Sequence, residues 1–401
     1  MKIVFVSNNY NHHERFFCEE LDKIREVEFF FIQTQPMREE RVKLGWGMDT
    51  SKIPFVLNSF NSPKAYEEAL RICNEADAVI IGSAPYRFIA ERVKRNKLTF
   101  FYAERLFRKG LWHMLYPPTF LTVLKRFILP GRKSNFFLLA ASAYTAWDTS
   151  RIFAFNNHRF NWGHFIEVDS PENRNYKAVD GKVHLLWVGR FLRLKHPEYS
   201  IRIAKKLKEQ GVKFVLDIIG SGVEEENMRQ LIAGYNLEGD VVMHGAMKPT
   251  EVRAYMEQAD IYMFTSDFNE GWGAVLGEAM ASGCAVVPSH GIGATPFLVQ
   301  HKHNGLIYET GRYDSFERNV LKLVASAELR EELSRNAMAT MQHLWNPKVG
   351  AHRFFALCQS LIETGTPLYY EEGPISEAKI LKNNWFKDDT IKGRLSVLSG
   401  V

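Results

Sequence analysis

Apolar positions along this chain fall in short continuous runs rather than in alternation. Lys2–Val6, Val27–Ile32, Ile53–Leu57, Ala78–Gly82, Leu98–Tyr102 and Phe136–Ala141 are rich in Ile, Val and Phe. Continuous runs of this length predict parallel strands buried on both faces. The segments between them, such as Glu14–Arg25, Lys64–Glu75 and Tyr86–Asn96, have helical spacing. Strand–helix repetition is the signature of an α/β domain. Ser170–Gly181 is polar, carries Pro and Gly, and reads as a linker. The pattern then restarts with strands predicted at His184–Val188, Phe214–Ile219, Val241–Met243, Ile261–Thr265, Ala285–Pro288 and Gly305–Tyr308. Helices are predicted at Pro197–Gln210, Glu224–Tyr235 and Thr250–Gln258, and Tyr313–Thr364 is helical throughout. The tail 365–401 adds two short helical stretches.

The expected organisation is therefore two α/β domains, 1–175 and 176–345, followed by a crossover helix and tail, 346–401. A length of 401 residues suits this, at roughly one domain per 100–200 residues. Four cysteines, none at metal-ligand spacing, read as buried free thiols. The apolar run at Ile3–Val6 is too short for a signal peptide, and no stretch reaches the ~20 residues of a spanning helix. The chain is expected in the cytoplasm, peripheral to a membrane face at most.

Charge changes the picture only locally. Residues 1–175 carry 25 Lys and Arg against 19 Asp and Glu, whereas 176–401 carry 26 against 27. Within the first half, Ala103–Lys133 holds seven basic residues and one acid, interleaved with Phe107, Trp112, Tyr116, Phe120 and Phe127. Such a window suits an anionic membrane surface. An ordinary helix pair with solvated charges is the structural alternative. No nucleic-acid motif accompanies the window, so nucleic acid is not an expected partner.

Several motifs are missing. The turn after the first strand, Ser7–His12, has no glycine, so it is not a dinucleotide fingerprint. No Walker phosphate loop, nucleophile elbow or zinc-protease helix occurs. The informative stretch is Ala259–Gly283, ADIYMFTSDFNEGWGAVLGEAMASG. A strand ends near Thr265, and Gly271-Trp272-Gly273 precedes a predicted helix, Ala274–Ser282. Glycines let backbone approach a ligand, and the amides opening a helix favour an anion such as a diphosphate. Glu270 precedes those amides and Glu278 lies eight residues on, so two carboxylates flank the phosphate site and suit sugar hydroxyls. Gly189-Arg190 ends another strand, and Lys195 follows. An Arg fork and a Lys point charge clamp phosphate. Gly220 and Gly222 mark a tight strand-to-helix turn. Singly, each charge reads equally well as surface decoration; their conjunction points to a sugar–diphosphate–nucleoside.

The order Gly-Arg…Lys, Gly-x-Gly, Glu-Gly-x-Gly-x₄-Glu-Ala-Met-Ala-x-Gly resembles the retaining glycosyltransferases of GT-B fold, the group 1 or glycogen-synthase-like family. The match runs from His184 to about Tyr308. The resemblance implies two Rossmann-like α/β domains facing a cleft, with C-terminal helices crossing back to the first domain, where Tyr369, Tyr370, Trp385 and Phe386 would pack. It implies that Glu270 contacts the donor sugar, that Glu278 holds the ribose, and that Arg190 and Lys195 neutralise the departing diphosphate. Gly189, Gly220, Gly222 and the amides of Gly271, Trp272, Gly273, Ala274 and Val275 would complete the donor site. Trp272 stands where the family usually has Phe, and Phe297 where it usually has an acid. The first domain would bind the acceptor, a glycan or lipid-linked glycan, as in bacterial surface-polysaccharide transferases. There His12 and His13 precede a helix, and Glu104 and Arg105 follow the fifth strand. His13 would be the catalytic group on that side. No D-x-D pair occurs, so the expected reaction uses a nucleotide sugar and no metal or other cofactor. A nucleotide-sugar epimerase or hydrolase, or a non-catalytic docking subunit, are the competing readings.

Overall fold

The computed structural model describes residues 1–39, 42, 47–108, 110–156, 158–168 and 181–388. Two compact units partition the chain. The first comprises Met1–Asp169 and Met341–Leu381, and the second Ser170–Thr340 and Lys382–Val401. The predicted linker lies outside the described residues apart from Gly181. The return to the first unit occurs within the helix Ala327–His343, close to the expected 345.

The first unit is built on seven parallel strands: β1 (Lys2–Ser7), β2 (Glu28–Gln33), β3 (Val56–Asn58), β4 (Ala78–Ile81), β5 (Thr99–Ala103), β6 (Phe136–Ala140) and β7 (Arg159–Asn161). Their order is β3-β2-β1-β4-β5-β6-β7. β4 and β6 are buried at every position, as continuous apolar runs require when both faces are covered. β7 is new; three residues with polar ends carry no pattern a sequence reading detects. The expected helix Tyr86–Asn96 is a short turn, Tyr86–Phe88, and a helix, Ala90–Lys94. The helix Pro347–Thr364 packs against His12–Asp22, where Phe354 meets Phe17 at 6.0 Å.

The second unit repeats the plan with five parallel strands: β8 (Val183–Val188), β9 (Phe214–Ile219), β10 (Val241–Gly245), β11 (Ile261–Phe264) and β12 (Ala285–Pro288). The order is β10-β9-β8-β11-β12. The sixth predicted strand, Gly305–Tyr308, is not one. Leu306 and Tyr308 donate to Val286 and Pro288 (3.0 and 3.1 Å), but only isolated bridges form, Ser289 with Tyr308 and His301 with Gly305. Pro288 has no N–H to return to the Leu306 carbonyl, and Asn319 Nδ2 reaches the carbonyls of Leu306 (3.5 Å) and Ile307 (3.0 Å) instead.

The described part of the tail departs from expectation: no helix forms between Gly365 and Asp388, and 389–401 lie outside the described residues. Tyr369 and Tyr370 do pack in the first unit, on Phe160 (5.0 Å) and under Arg353 (4.2 Å). Trp385 and Phe386, expected there too, lie in the second unit against His290, at 6.0 and 5.9 Å. The reason is a polar anchor: Asp388 accepts from Arg318 (2.8 Å) and Ser315 (2.5 Å), and His290 Nε2 meets the Asn383 carbonyl at 3.0 Å. Thr310 N donates to His290 Nδ1 (2.8 Å), so Nε2 carries the proton of a neutral ring. Burial pushes His290 below its ordinary pKa, in keeping with that state.

Candidate functional site

In each sheet the strand order reverses direction beside its first strand, between β1 and β4 and between β8 and β11. Ligands of open α/β sheets sit at such switch points, beyond the carboxyl ends of the strands. The loops leaving β8 and β11 carry the residues singled out in the second unit.

Their geometry is tight. Lys195 Nζ lies 2.6 Å from Glu270 Oε2, with the side chains only 12% and 16% exposed. Ser266 Oγ donates to the same carboxylate oxygen (2.8 Å). The Lys195 backbone is fixed from below: Trp187 Nε1 donates to Thr265 Oγ1 (2.8 Å), which donates to the Lys195 carbonyl (2.5 Å). Asp267 N donates to the Leu194 carbonyl at 2.9 Å, joining the two loops again. The ammonium also sits 5.5 Å from the Phe264 ring centre.

His196 is held in the left-handed region, φ 45°, which non-glycine residues adopt only at a cost. It stands between two acids, Glu198 at 3.0 Å and Asp267 at 3.8 Å. The bonds to Asp267 and then Glu198 raise its pKa to about 9. Burial opposes ionisation of Asp267, yet His196 and Asn269 hold its carboxyl below the ordinary value.

Three glycines are demanded by close approach. A Cβ on Gly220 (φ 143°) would lie 1.9 Å from the Gly189 carbonyl, so only glycine lets the β9 loop lie on the β8 loop. A Cβ on Gly273 (φ 83°) would meet Phe264 at 2.7 Å. Gly222 likewise abuts Phe191, and Phe191 N donates to Ser221 O at 2.8 Å. Gly273 caps the helix Ala274–Ala281: its carbonyl accepts from Leu276 N (3.0 Å), and helix geometry gives the amides of Ala274 and Val275 no intrahelical acceptor. The carbonyls of Gly271 and Trp272 accept from Gly293 and Ala294, each at 3.0 Å. Ala274, Val275 and Glu278 are half-buried, and Arg190 is exposed at the end of β8. The Trp272 side chain is 2% exposed and lies 5.8 Å from Phe297, so the two departures from the family pattern touch.

The first unit's loops are of another kind. Asn11 caps the helix His12–Asp22 through the His13 amide (2.9 Å) and bonds Glu14. The His12 and His13 rings are 3.9 Å apart, and His13 lies 5.0 Å from His164. His164 Nε2 is 3.1 Å from Glu104, which also pairs with Arg108, and the Tyr102 hydroxyl is 3.3 Å from the His164 ring. His13 and Glu104 thus meet at His164, which no spacing in the sequence marks, and His12 packs on His13.

Arg105 stands apart from that group. Its side chain is 3% exposed and forks onto Asp148, itself fully buried, at 3.3 and 3.4 Å, with the guanidinium over Tyr144. Asp148 also accepts from the amides of Leu106 (3.1 Å) and Phe107 (3.2 Å). The expected acceptor ligand is a strut that pins the β5 loop to the helix Thr145–Ser150.

Residues 169–340 match the model of the family described as glycosyl transferases group 1. The putative colanic acid biosynthesis glycosyltransferase WcaL of Escherichia coli K12 is 30% identical over 205 residues, 49% of this chain and 50% of that protein. The amylovoran biosynthesis glycosyltransferase AmsK of Erwinia amylovora is 30% identical over 184 residues, 41% of this chain and 45% of that protein. The chain thus spans about half the length of the curated relatives it matches. Among solved structures, Anabaena Alr3699/HepE in complex with UDP superimposes with a TM-score of 0.67 at 17% identity, covering 90% of this chain and all of that one. The apo lipopolysaccharide outer core galactosyltransferase WaaB gives 0.66 at 14%, covering 90% and 99%. The fold of this chain is GT-B, and over residues 169–340 the chain is similar to the group 1 glycosyltransferases.

Proposed function

We propose that this protein transfers a sugar, with retention at the anomeric carbon, from a nucleoside-diphosphate sugar to a hydroxyl of a surface-polysaccharide acceptor. The observation that carries the reading is the Lys195–Glu270 pair, 2.6 Å apart at the switch point of the group 1 unit. The acceptor oxygen attacks the anomeric carbon on the face the diphosphate leaves. That carbon–oxygen bond forms as the bond to phosphate oxygen breaks, and the acceptor's proton passes to the departing diphosphate. The products are a glycoside and a nucleoside diphosphate.

Each residue then has a task. Lys195 and Arg190 neutralise charge growing on the diphosphate, with the amides opening Ala274–Ala281 beside them. Glu270 orients the donor sugar and Glu278 the ribose. His12, His13 and Glu104 recognise the acceptor. No divalent metal is needed, because cations and helix amides meet the leaving charge. The acceptor class follows from WcaL and AmsK, named for colanic acid and amylovoran biosynthesis, and the donor class from HepE, crystallised with UDP and glucose.

A thermal-shift screen with nucleoside-diphosphate sugars identifies the donor, since a ligand of the folded state raises its stability. Incubation with that donor and a glycan acceptor, in chelator, is expected to give a product with the donor's anomeric configuration by NMR. An inverted product, or release of free sugar alone, overturns the reading.

A further inference from the structure

The basic window of the first unit is sharper in three dimensions than in sequence. Of its seven cations, Arg105 is buried on Asp148 and Arg108 is paired with Glu104, while Lys109 lies outside the described residues. Lys125, Arg126 and Arg132 are exposed and Lys133 is half-buried. No acid occurs between Arg105 and Lys133.

The same short segment exposes its large apolar side chains. Trp112 is 63% exposed, Leu115 87%, Tyr116 63%, Phe120 41%, Leu121 49% and Leu129 51%. These are six of the fifteen exposed large hydrophobics among the described residues, packed into eighteen positions. The short helical turn Trp112–Leu115, the helix Pro117–Val123 and the π-helix Leu124–Ile128, capped by Leu129, follow one another and pack together, so the six belong to one local surface. A buried counterpart holds it to the body: Val123 and Ile128 join the core of the first sheet. Apolar concentrations of this kind mark interaction surfaces.

We propose that Trp112–Lys133 is a docking face for an anionic lipid bilayer. Leu115, Leu121 and Leu129 enter the acyl boundary, Trp112 and Tyr116 take headgroup depth, and the four cations meet lipid phosphate. Charge decides among occupants. A second copy of the same face would set four cations against four cations. Nucleic acid would satisfy the cations but leave three exposed leucines in water. No helix of the described residues is long and apolar enough to cross a membrane, so the attachment is to one leaflet surface. The inference stands apart from the reaction, because vesicle binding is read without donor or acceptor.

The test is cosedimentation of the full chain with phosphatidylcholine vesicles, with and without phosphatidylglycerol, at low and high salt. Binding is expected only to the anionic vesicles, with release by salt. Leu115→Ser/Leu121→Ser and Lys125→Glu/Arg132→Glu each lower the bound fraction by about ten-fold. All four side chains are exposed, so an unchanged melting temperature confirms that folding is intact. Absence of binding to anionic vesicles, or binding indifferent to both double variants, overturns the proposal. So does a dimer in solution that Leu115→Ser/Leu121→Ser dissociates, which would give the face to a second copy.

Discussion

The two switch points of this molecule share a topology and differ in chemistry. In the second unit, glycine-lined loops press together so closely that a Cβ at Gly220 would overlap a carbonyl, and they carry a lysine and a glutamate in contact. In the first unit the loop after β1 has no glycine, and the neighbouring groups are imidazoles, a tyrosine and a carboxylate. Backbone amides and cations fit a compact polyanion. Imidazoles and hydroxyls fit a neutral, hydroxylated partner whose proton must move. One strand order, used twice, thus supplies two kinds of pocket floor, and the distinction lies entirely in the loops.

The comparison breaks most sharply at arginine. Arg105 and Arg190 both follow a strand, yet one is a buried strut and the other an exposed charge. Arg105→Ala leaves Asp148 buried without its cation, at a cost of about 3 kcal/mol. Chemical denaturation of the variant is expected to show that loss, while the fraction still folded keeps its turnover. Arg105→Met with Asp148→Asn recovers part of it, because the isosteric amide carries no charge and its oxygen still accepts from the Leu106 and Phe107 amides. A stability unchanged in Arg105→Ala would return Arg105 to the ligands.

The next effect is on the reaction. Lys195→Ala and Glu270→Ala are each expected to cut turnover roughly 100-fold or more with folding intact. Near-normal turnover in both would sink the donor assignment. His13→Ala and His164→Ala carry a smaller loss, about 10-fold in kcat/KM for the acceptor. The thermal shift given by the donor should stay as in the parent protein. If that shift falls as well, the two switch points do not divide the substrates as assigned.

Much of the second site was legible because its chemistry is local. Glu270, Gly271, Gly273 and Glu278 lie within nine residues, and Gly189, Arg190 and Lys195 within seven. A loop proposed to meet phosphate is written in consecutive residues. The first site is assembled from β1, β5 and the stretch after β7, so His164 reaches Glu104 across sixty residues. Nothing in spacing announces such a pair, nor the partnership of Arg105 with Asp148. The strands were legible where both faces are buried, as in β4 and β6. They were misread where a ladder depends on one donor: Leu306–Tyr308 is apolar enough for a strand, but Pro288 cannot complete the pairing. Trp385 and Phe386 were expected in the first unit because the family resemblance sends the last helices back there. Asp388, Arg318 and His290, polar groups far apart in sequence, set their place instead.

His196 offers the finest test of how the second site is held. Its ring is tied to Glu198 and Asp267, and its pKa is raised from 6.5 to about 9. The folded state therefore binds this proton more tightly than the unfolded chain does. The stabilisation is fully present below about pH 6.5 and fades as pH rises through 9. The ring is 31% exposed, so solvent screening leaves the contribution on the order of 1 kcal/mol. His196→Asn keeps a residue that tolerates the left-handed backbone and removes the charge. The variant should melt slightly lower than the parent at about pH 6, and the gap should close by about pH 10. Because His196 adjoins Lys195 and reaches the loop carrying Glu270, the same variant should loosen the donor more than it slows turnover, seen as a higher donor KM with kcat nearly kept. A pH-independent gap would mean that His196 acts by shape alone. No gap at any pH would leave the Lys195 backbone, held by Thr265 and Trp187, as what positions the pair.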